Sequence, residues 1–314
     1  MKILFVAKCD YSGLAEGMCR AFASLGHETG IFDTAKYRRQ DKYRSPATSA
    51  GKLSARLSAF RPDVVFVVAP LFLRLALFEP LADYRQAHGT KVLGWIGDQV
   101  ADTEDNAKRL SVLDKTYYTD TGFADQLSGV ESAYLPLATD PEVFSPGKGK
   151  KTVSCSFVAA PTDNRVAFLA RAKSPVSVFG PDWKRVPDKK ALARHKVRSG
   201  AISLKKTAKV YRNSRMVLNL KNGNNVVRGL NQRSFDPCAC QSLLLHDLVE
   251  DLALHFDVGA EVLAFSTPED FDELCGRAEK DPGLCARVAE SGCKRVLAHH
   301  TFRNRAEQVQ KDLG

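Results

Sequence analysis

The chain has 314 residues, of which 44% are hydrophobic and 26% charged, and its formal net charge at pH 7 is +10. This length indicates two domains of ordinary globular composition. The most apolar stretch, Val64 to Leu77, contains Pro70 and Arg74, so a transmembrane helix is not expected. The positive charge favours anionic partners, which are nucleotide phosphates, anionic lipid or nucleic acid.

The N-terminus and the cysteines bear on the compartment. Met1 to Val6 is too short an apolar run for a secretory signal, so cytoplasmic residence is the expectation. The eight cysteines are then expected to be free thiols. Cys238 and Cys240 form the one tight pair, and no His or Cys follows at zinc-finger spacing, so neither a metal site nor a cofactor is predicted.

Short apolar runs in the first half predict buried parallel strands, and apolar residues at helical spacing predict helices between them. Lys2–Ala7 is the first strand, Leu14–Leu25 is a helix that Gly26 ends, and His27–Phe32 is the second strand. The loop Lys8–Gly13 lacks G-x-G-x-x-G, so no dinucleotide fingerprint is present. The remaining predictions are a polar loop at Tyr37–Ser49, helices at Leu53–Phe60 and Leu73–Ala87, and strands at Val64–Ala69, Lys91–Ile96, Lys115–Thr119 and Ser132–Leu135.

The pattern restarts after a segment rich in Pro, Gly and Lys, Thr139–Lys151, which is the predicted linker. We therefore predict an N-terminal domain over residues 1–145 and a C-terminal domain over 146–314, whose last helix could cross back. The alternation of strand and helix predicts parallel sheets covered on both faces. The predicted strands of this half are Val153–Ala159, Val176–Phe179, Met216–Leu220, Ser242–His246 and Glu261–Phe265, and the predicted helices include Asn164–Ala172, one beginning at Asp236, Pro268–Lys280, Leu284–Leu297 and Phe302–Leu313.

The positive charge is concentrated between Lys184 and Arg215, where twelve Lys or Arg accompany one acid, Asp188. A solvated face or the recognition of an anionic surface would explain this segment. No Phe, Tyr or Trp occurs from Lys184 to Lys209, which argues against a platform for stacking bases. We therefore expect no stable nucleic-acid partner, and we allow for peripheral contact with an anionic surface.

The loop after the strand at Met216–Leu220 is rich in Gly and Asn and carries Arg228 and Arg233. Ligands of open α/β sheets bind beyond the carboxyl ends of the strands, and these guanidinium groups suit phosphate. Asp236 and Pro237 then open a helix, whose N-terminal amides favour an anion. The alternative interpretation is that Asp236 is an N-cap and Pro237 the first helical residue, which needs no ligand.

An ordered set of segments resembles the CgeB-like (spore maturation protein) glycosyltransferases, within the GT-B group. The set covers nearly the whole chain, although no single motif is specific. The matching segments are Pro62-Asp63, Trp95-Ile96-Gly97-Asp98, Tyr134-Leu135-Pro136, Phe157-Val158-Ala159 with Arg165, Val178-Phe179-Gly180 with Trp183, Tyr211–Asn219, Asn231 with Arg233 and Phe235-Asp236, Phe256 with Gly259 and Glu261-Val262, and His300-Thr301-Phe302 with Arg305.

The resemblance implies a GT-B fold, with two Rossmann-like domains facing each other across a cleft, and transfer of a sugar from a nucleotide-sugar donor to an unknown acceptor. It implies a metal-independent enzyme whose C-terminal domain holds the donor and whose N-terminal domain presents the acceptor. The donor-binding residues carried over by position are Arg165 and Arg233 for the diphosphate, Asp236 for the ribose, the backbone around Phe179 and Gly180 for the base, and Asn231. Asp98 is the candidate catalytic base, with Asp10–Ser12 as the alternative.

The sequence departs from the family pattern at four places. Asp236 stands for a Glu, Gln241 for a Gly, and Ala159 or Ala160 for a Gly, while Arg228 occupies the position of a second Glu of many retaining enzymes. These departures leave open a second function class, a non-catalytic GT-B protein that binds a nucleotide or glycan. The basic charge balance leaves open a third, a nucleic-acid-binding protein.

Overall fold

The computed structural model describes residues 1–9, 13–37, 41–42, 45, 47–223 and 226–314. The chain forms two compact units: unit 1 comprises Met1–Pro136 with Phe302–Gly314, and unit 2 comprises Leu137–Thr301. Residues 137–145, which the sequence analysis placed in the N-terminal domain, belong to unit 2. The last helix belongs to unit 1.

Unit 1 is built on a parallel six-stranded sheet with the order β2-β1-β3-β4-β5-β6. Its strands are β1 (Lys2–Ala7), β2 (Glu28–Asp33), β3 (Val64–Val68), β4 (Lys91–Ile96), β5 (Lys115–Tyr118) and β6 (Ser132–Tyr134). Its helices are α1 (Leu14–Ser24), α2 (Ala47–Phe60), α3 (Phe78–His88), α4 (Glu104–Ser111) and, from the end of the chain, the helix Phe302–Leu313.

Unit 2 repeats the design with a second parallel sheet of six strands, in the order β12-β11-β10-β7-β8-β9. Its strands are β7 (Val153–Val158), β8 (Ser177–Gly180), β9 (Lys196–Ser199), β10 (Ser214–Asn219), β11 (Leu243–Asp247) and β12 (Leu263–Phe265). Its helices are α5 (Asp163–Arg171), α6 (Leu204–Arg212), α7 (Asp236–Ala239), α8 (Leu252–His255), α9 (Pro268–Lys280) and α10 (Pro282–His299), and the helix of unit 1 that follows them is α11 (Phe302–Leu313).

Both faces of each sheet are buried, which is why the central strands are continuous apolar runs. All five residues of β3 are buried. In β1, Phe5 contacts Phe22 and Phe66 with ring centroids 5.9 and 5.5 Å away, while its neighbours Leu4 and Val6 belong to the aliphatic core of the opposite face. Two layers of helices therefore cover each sheet, and the predicted α/β class with parallel sheets is confirmed.

Helix α11 packs against α1 inside unit 1 at a glycine. A Cβ atom on Gly17 of α1 would overlap the ring of Phe302, so only glycine permits this close approach. The ring of Phe302 also meets Trp95 edge-on, with centroids 6.5 Å apart. The last helix is therefore an integral layer of unit 1.

Several elements differ from the sequence prediction, and one of them is helix α3, which begins at Phe78 instead of Leu73. Helix α2 begins at Ala47, well before the predicted Leu53, so the predicted loop at Tyr37–Ser49 ends early; residues 38–40, 43, 44 and 46 of that loop lie outside the described residues. Helix α4 and strand β9 were not predicted. Both are short and strongly polar, and burial of an apolar face is the signal on which the prediction depends.

Candidate functional site in unit 2

The carboxyl ends of the parallel strands of unit 2 meet at one edge of the sheet. Strands β7, β8, β10 and β11 end at Val158, Gly180, Asn219 and Asp247. This edge is where open α/β sheets bind ligands. Arg165 and Arg233 carry the positive charge of the site.

Arg165 lies in the first turn of α5, and only 4% of its surface is exposed. Its Nε and Nη2 donate to the carbonyl of Leu220 at 3.2 and 2.9 Å, and Nη1 donates to the carbonyl of Ala160 at 3.1 Å. The guanidinium also lies over the ring of Phe157, 5.9 Å from its centroid. Arg165 thus ties the loop after β7 to the loop after β10, and its charge is held at the edge of the sheet.

Arg233 brings a second guanidinium to the same place. Burial lowers the pKa of Arg165 to about 9, with repulsion from Arg233 as the second cause, while Asp247 opposes the shift. Within the described part of the chain, the buried Nε of Arg233 has no hydrogen-bond partner. Two neighbouring cations with an unsatisfied donor favour an anion between them, because a buried donor without a partner costs about 1–3 kcal/mol.

Asn231 fixes the turn that carries Arg233. Its Oδ1 accepts from the backbone N–H of Arg233 at 2.9 Å. The Nδ2 of Asn219 donates to Asn231 Oδ1 at 3.3 Å, and to Nε2 of His246 at 3.0 Å. Asn231 therefore positions Arg233 by holding the backbone N–H of that residue.

His246 belongs to this buried network. Its Nε2 lies 2.8 Å from the hydroxyl of Ser234, and its Nδ1 lies 2.6 Å from the carbonyl oxygen of Asp247. Because the amide of Asn219 donates to Nε2, Nδ1 is the ring nitrogen that donates to that carbonyl. His246 is a satisfied core residue that holds the turn Gln232–Ser234 against the ends of β10 and β11.

Asp236 is the first residue of α7, and Phe235 is the capping residue, so the interpretation of Asp236 as an N-cap is wrong. Its Oδ1 accepts from the hydroxyl of Thr139 at 2.7 Å, and 4% of its surface is exposed. Burial raises the pKa of Asp236 well above its ordinary value, while the Thr139 hydrogen bond and Arg233 act in the opposite direction. Helix α7 has only four residues, which is too short for its N-terminus to attract an anion as the sequence suggested.

Gly180 ends β8 with φ +145°, a backbone conformation that side chains rarely adopt. A Cβ atom there would collide with the carbonyl of Ala159, which accepts from Nε1 of Trp183 at 2.7 Å. The carbonyl of Gly180 accepts from the N–H of Gly200 at 2.7 Å, and that of Phe179 accepts from Ala159 at 3.0 Å. The position demands glycine because three backbone segments converge on it.

Arg228, the other arginine of the loop, has a carboxylate partner. Its Nε lies 2.9 Å from Oε2 of Glu250, and both side chains are more than half exposed. Of the two arginines that the sequence offered for phosphate in this loop, Arg233 is the one that lies beside Arg165.

Asp98, the candidate base, lies in unit 1 two residues after the end of β4 and is half-buried. It therefore stands at the carboxyl edge of its own sheet, as predicted. The alternative at Asp10–Ser12 lies outside the described residues.

The eight cysteines, all in the described part of the chain, are free thiols. The described residues contain no group of three His, Cys, Asp or Glu side chains arranged for a metal ion. None of the helices they form has the length and apolarity needed to cross a membrane.

Sequence reasoning missed three residues of the site. Asn219, Ser234 and Thr139 are buried and orient Asn231, His246 and Asp236. Asn219 carried a signal, since it is a polar residue at the carboxyl end of an otherwise apolar strand. Thr139 carried none, because its partner lies 97 positions along the chain.

Comparison with known proteins supports a glycosyltransferase family. Residues 164–311, just under half of the chain, match the family described as Glycosyl transferase-like. This segment contains Arg165, Phe179, Gly180, Arg233 and Asp236. No curated protein matches the sequence.

Solved structures resemble the chain over nearly its whole length. Sucrose-phosphate synthase from Thermosynechococcus elongatus is 12% identical with a TM-score of 0.68, over 99% of this chain and 98% of that one. A glycosyltransferase from Rickettsia africae is 11% identical with a TM-score of 0.70, over 99% and 97%. HepE from Anabaena in complex with UDP is 9% identical with a TM-score of 0.68, over 100% and 99%. At these identities the likeness shows the fold, and the predicted GT-B class is confirmed.

Proposed function

We propose that this protein is a glycosyltransferase that moves a sugar from a nucleotide-sugar donor to an acceptor hydroxyl. The observation that carries the proposal is the pair of guanidinium groups of Arg165 and Arg233 at the carboxyl edge of the second sheet, with a buried Nε that lacks a partner in the described residues. A diphosphate supplies the charge and the acceptor oxygens that such a pair requires.

The donor site proposed on unit 2 extends from this pair. Arg165 and Arg233 hold the diphosphate, Asn231 keeps Arg233 in place, and Asp236 accepts from the ribose hydroxyls. The backbone of Phe179 and Gly180 faces the base. The match of residues 164–311 to a glycosyltransferase-like family supports this assignment, as does the binding of UDP and of UDP-glucose by the structurally similar Anabaena protein.

The chemistry follows from the charges. The bond between the anomeric carbon and the diphosphate oxygen breaks, and the two arginines stabilise the charge that develops on the leaving nucleoside diphosphate. The acceptor oxygen forms the new glycosidic bond, and its proton passes to Asp98 as general base. Because guanidinium groups supply the positive charge, we expect turnover to continue in the presence of EDTA.

We further propose that the chain belongs to the CgeB-like glycosyltransferases, that its N-terminal domain binds the acceptor, and that the protein resides in the cytoplasm. The ordered motifs from Pro62 to Arg305 support the first of these.

The test is calorimetry and thermal unfolding with UDP and a panel of nucleotide sugars, beside an assay of donor hydrolysis and transfer. A ligand at 100 times its Kd stabilises the folded state by about 2.7 kcal/mol, a shift that is easily measured. Binding with turnover supports the proposal. Binding without hydrolysis or transfer assigns the chain to the non-catalytic alternative, and failure to bind any nucleotide contradicts both.

A further inference from the structure

The net positive charge of the protein comes from one segment of unit 2. Lys184–Arg215 holds twelve Lys or Arg and one acid, Asp188. The rest of the chain holds 34 Lys or Arg against 35 Asp or Glu. The charge is thus a local property, and the proposed donor site does not account for it.

Ten of the twelve cationic side chains of this segment are exposed, whereas Arg212 and Arg215 are half-buried and donate to backbone carbonyls. Among the described residues, the only carboxylate within ion-pair distance of this set is that of Asp182, 3.2 Å from Arg185. The exposed members, which we call the basic edge, are Lys184, Arg185, Lys189, Lys190, Arg194, Lys196, Arg198, Lys205, Lys206 and Lys209.

The basic edge spans every layer of unit 2 at one border of its sheet. Strand β9 is the outermost strand and carries Lys196 and Arg198. Lysines 189 and 190 lie just before Leu192, which packs in the core that covers one face of the sheet. Lysines 205, 206 and 209 lie on α6, whose Ala208 packs in the core of the opposite face. Positive charge therefore continues from a turn segment on one face of the sheet, across the strand edge, to helix α6 on the other face.

Local structural needs explain only part of this charge. Lysines on an outer strand prevent edge-to-edge pairing, so Lys196 has a structural use. The two lysines in the first turn of α6 lie at the positive end of the helix dipole, where acids are favoured, and this turn has no acid. Their cost to the helix indicates that they serve a partner outside it.

We propose that the basic edge docks unit 2 on an anionic phospholipid surface. Most of its members are lysines, which are point charges on flexible stems and suit a diffuse field of headgroups better than a fixed phosphate geometry. Aromatic residues on which bases could stack are missing from residues 184–210, all of which are described. Val197, 37% exposed on β9, adds a small apolar contact.

The test is co-sedimentation of the full chain with vesicles of phosphatidylcholine, with and without phosphatidylglycerol as the anionic lipid, at low and high salt. Two variants remove charge from opposite layers: Lys189→Gln/Lys190→Gln and Lys205→Gln/Lys206→Gln. The control Lys52→Gln/Lys280→Gln removes the same charge from exposed positions elsewhere. Circular dichroism and thermal unfolding verify that each variant is folded.

We expect binding to the anionic vesicles alone. Salt should weaken it, because at physiological ionic strength ions screen the attraction between charges separated by more than about 8 Å. Each test pair should lower the partition coefficient about 30-fold, since one basic residue near such a surface contributes about fivefold, and the control should change it less than twofold. Equal binding to both vesicle types, an equal loss in the control, or an effect confined to one layer would overturn the proposal. Tighter binding to duplex DNA than to anionic vesicles at the same salt would replace the lipid with nucleic acid.

Discussion

Arg165 and Arg233 differ in how their guanidinium groups are satisfied. Arg165 donates to two backbone carbonyls, whereas the buried Nε of Arg233 has no acceptor in the described residues. Arg165 therefore holds the loops together, and Arg233 is the better reporter of an incoming anion. A substitution at Arg233 tests the binding site with little damage to the fold.

Arg233→Ala is expected to lower the affinity for the nucleotide-sugar donor about tenfold or more, because a charge-assisted contact contributes about 1.5–3 kcal/mol. The melting temperature should stay close to the wild-type value. The control is Arg228→Ala, which removes an exposed arginine of the same loop that is paired with Glu250. Calorimetric titration of both variants decides the matter: equal donor affinity in Arg233→Ala and wild type contradicts the assignment.

The burial of Asp236 predicts how the free energy of unfolding depends on pH. Burial raises the pKa of its carboxyl in the folded protein. Between the ordinary pKa of an aspartate, about 4, and the raised pKa of the folded protein, the unfolded chain has lost this proton while the folded chain retains it. This group therefore lowers the free energy of unfolding as pH rises through that window. Asp236→Asn keeps an oxygen for Thr139 and cannot ionise. Its melting temperature relative to wild type should rise between pH 4 and pH 8, and a constant difference would show that the carboxyl is not perturbed.

The same variant tests the ribose contact. If Asp236 accepts from the ribose hydroxyls, Asp236→Asn should weaken donor binding by about 1–2 kcal/mol, and Asp236→Glu should retain it if the pocket accepts one more methylene. Tight donor binding by Asp236→Asn would leave the residue with its structural contact to Thr139 alone.

At the scale of elements, helix α7 ends on a strained residue. Gln241 has φ +56°, a left-handed conformation, and follows the last turn as the C′ residue. An L-residue costs about 1–2 kcal/mol in that conformation, and glycine is the usual choice. Gln241→Gly should raise the free energy of unfolding by up to about 1 kcal/mol, while Gln241→Ala should give no gain. Denaturant melts measure both, and a destabilised glycine variant contradicts the argument.

At the end of β8 a glycine is already present, and replacing it should lower the free energy of unfolding. Gly180→Ala should destabilise unit 2 by about 2 kcal/mol or more, because the new Cβ would collide with the carbonyl of Ala159 in a backbone conformation that only glycine adopts freely. The matched control is Gly276→Ala in helix α9, where a Cβ meets open space and should stabilise by about 0.5–1 kcal/mol. Thermal unfolding separates the two, and equal melting temperatures would refute the packing argument.

How well the elements could be predicted depended on what each one buries. Strand β3 and helices α9 and α11 bury apolar faces, and the sequence predicted them closely. Strand β9 is an exposed edge and gave no such signal. Within the site, the sequence marked Arg165 and Arg233, but the difference between a bonded and an unbonded guanidinium depends on contacts between distant segments. Pattern alone could not provide it.

At the scale of the whole molecule, the proposed reaction assigns different tasks to the two units, and Asp98 is the proposed contribution of unit 1. Asp98→Asn is expected to slow transfer by a factor of about 10²–10⁴ while donor binding stays unchanged, because a general base acts on the acceptor proton. Asp102→Asn, an exposed acid on the same loop, is the control. Kinetics of transfer with a saturating donor measure the effect, and a wild-type rate in Asp98→Asn moves the base to another residue.

Because helix α11 belongs to unit 1, it fixes the order in which the two units can finish folding during translation. Residues 137–301 of unit 2 are contiguous, whereas unit 1 needs residues 302–314 to cover α1, to give Pro136 its partner in Arg305 and to bring Asp312 to Lys115 and Tyr117. During synthesis, the unit that emerges first is therefore completed last. The surface around Gly17 stays uncovered until Phe302 has been translated, and nascent chains stalled before that codon should present it to chaperones.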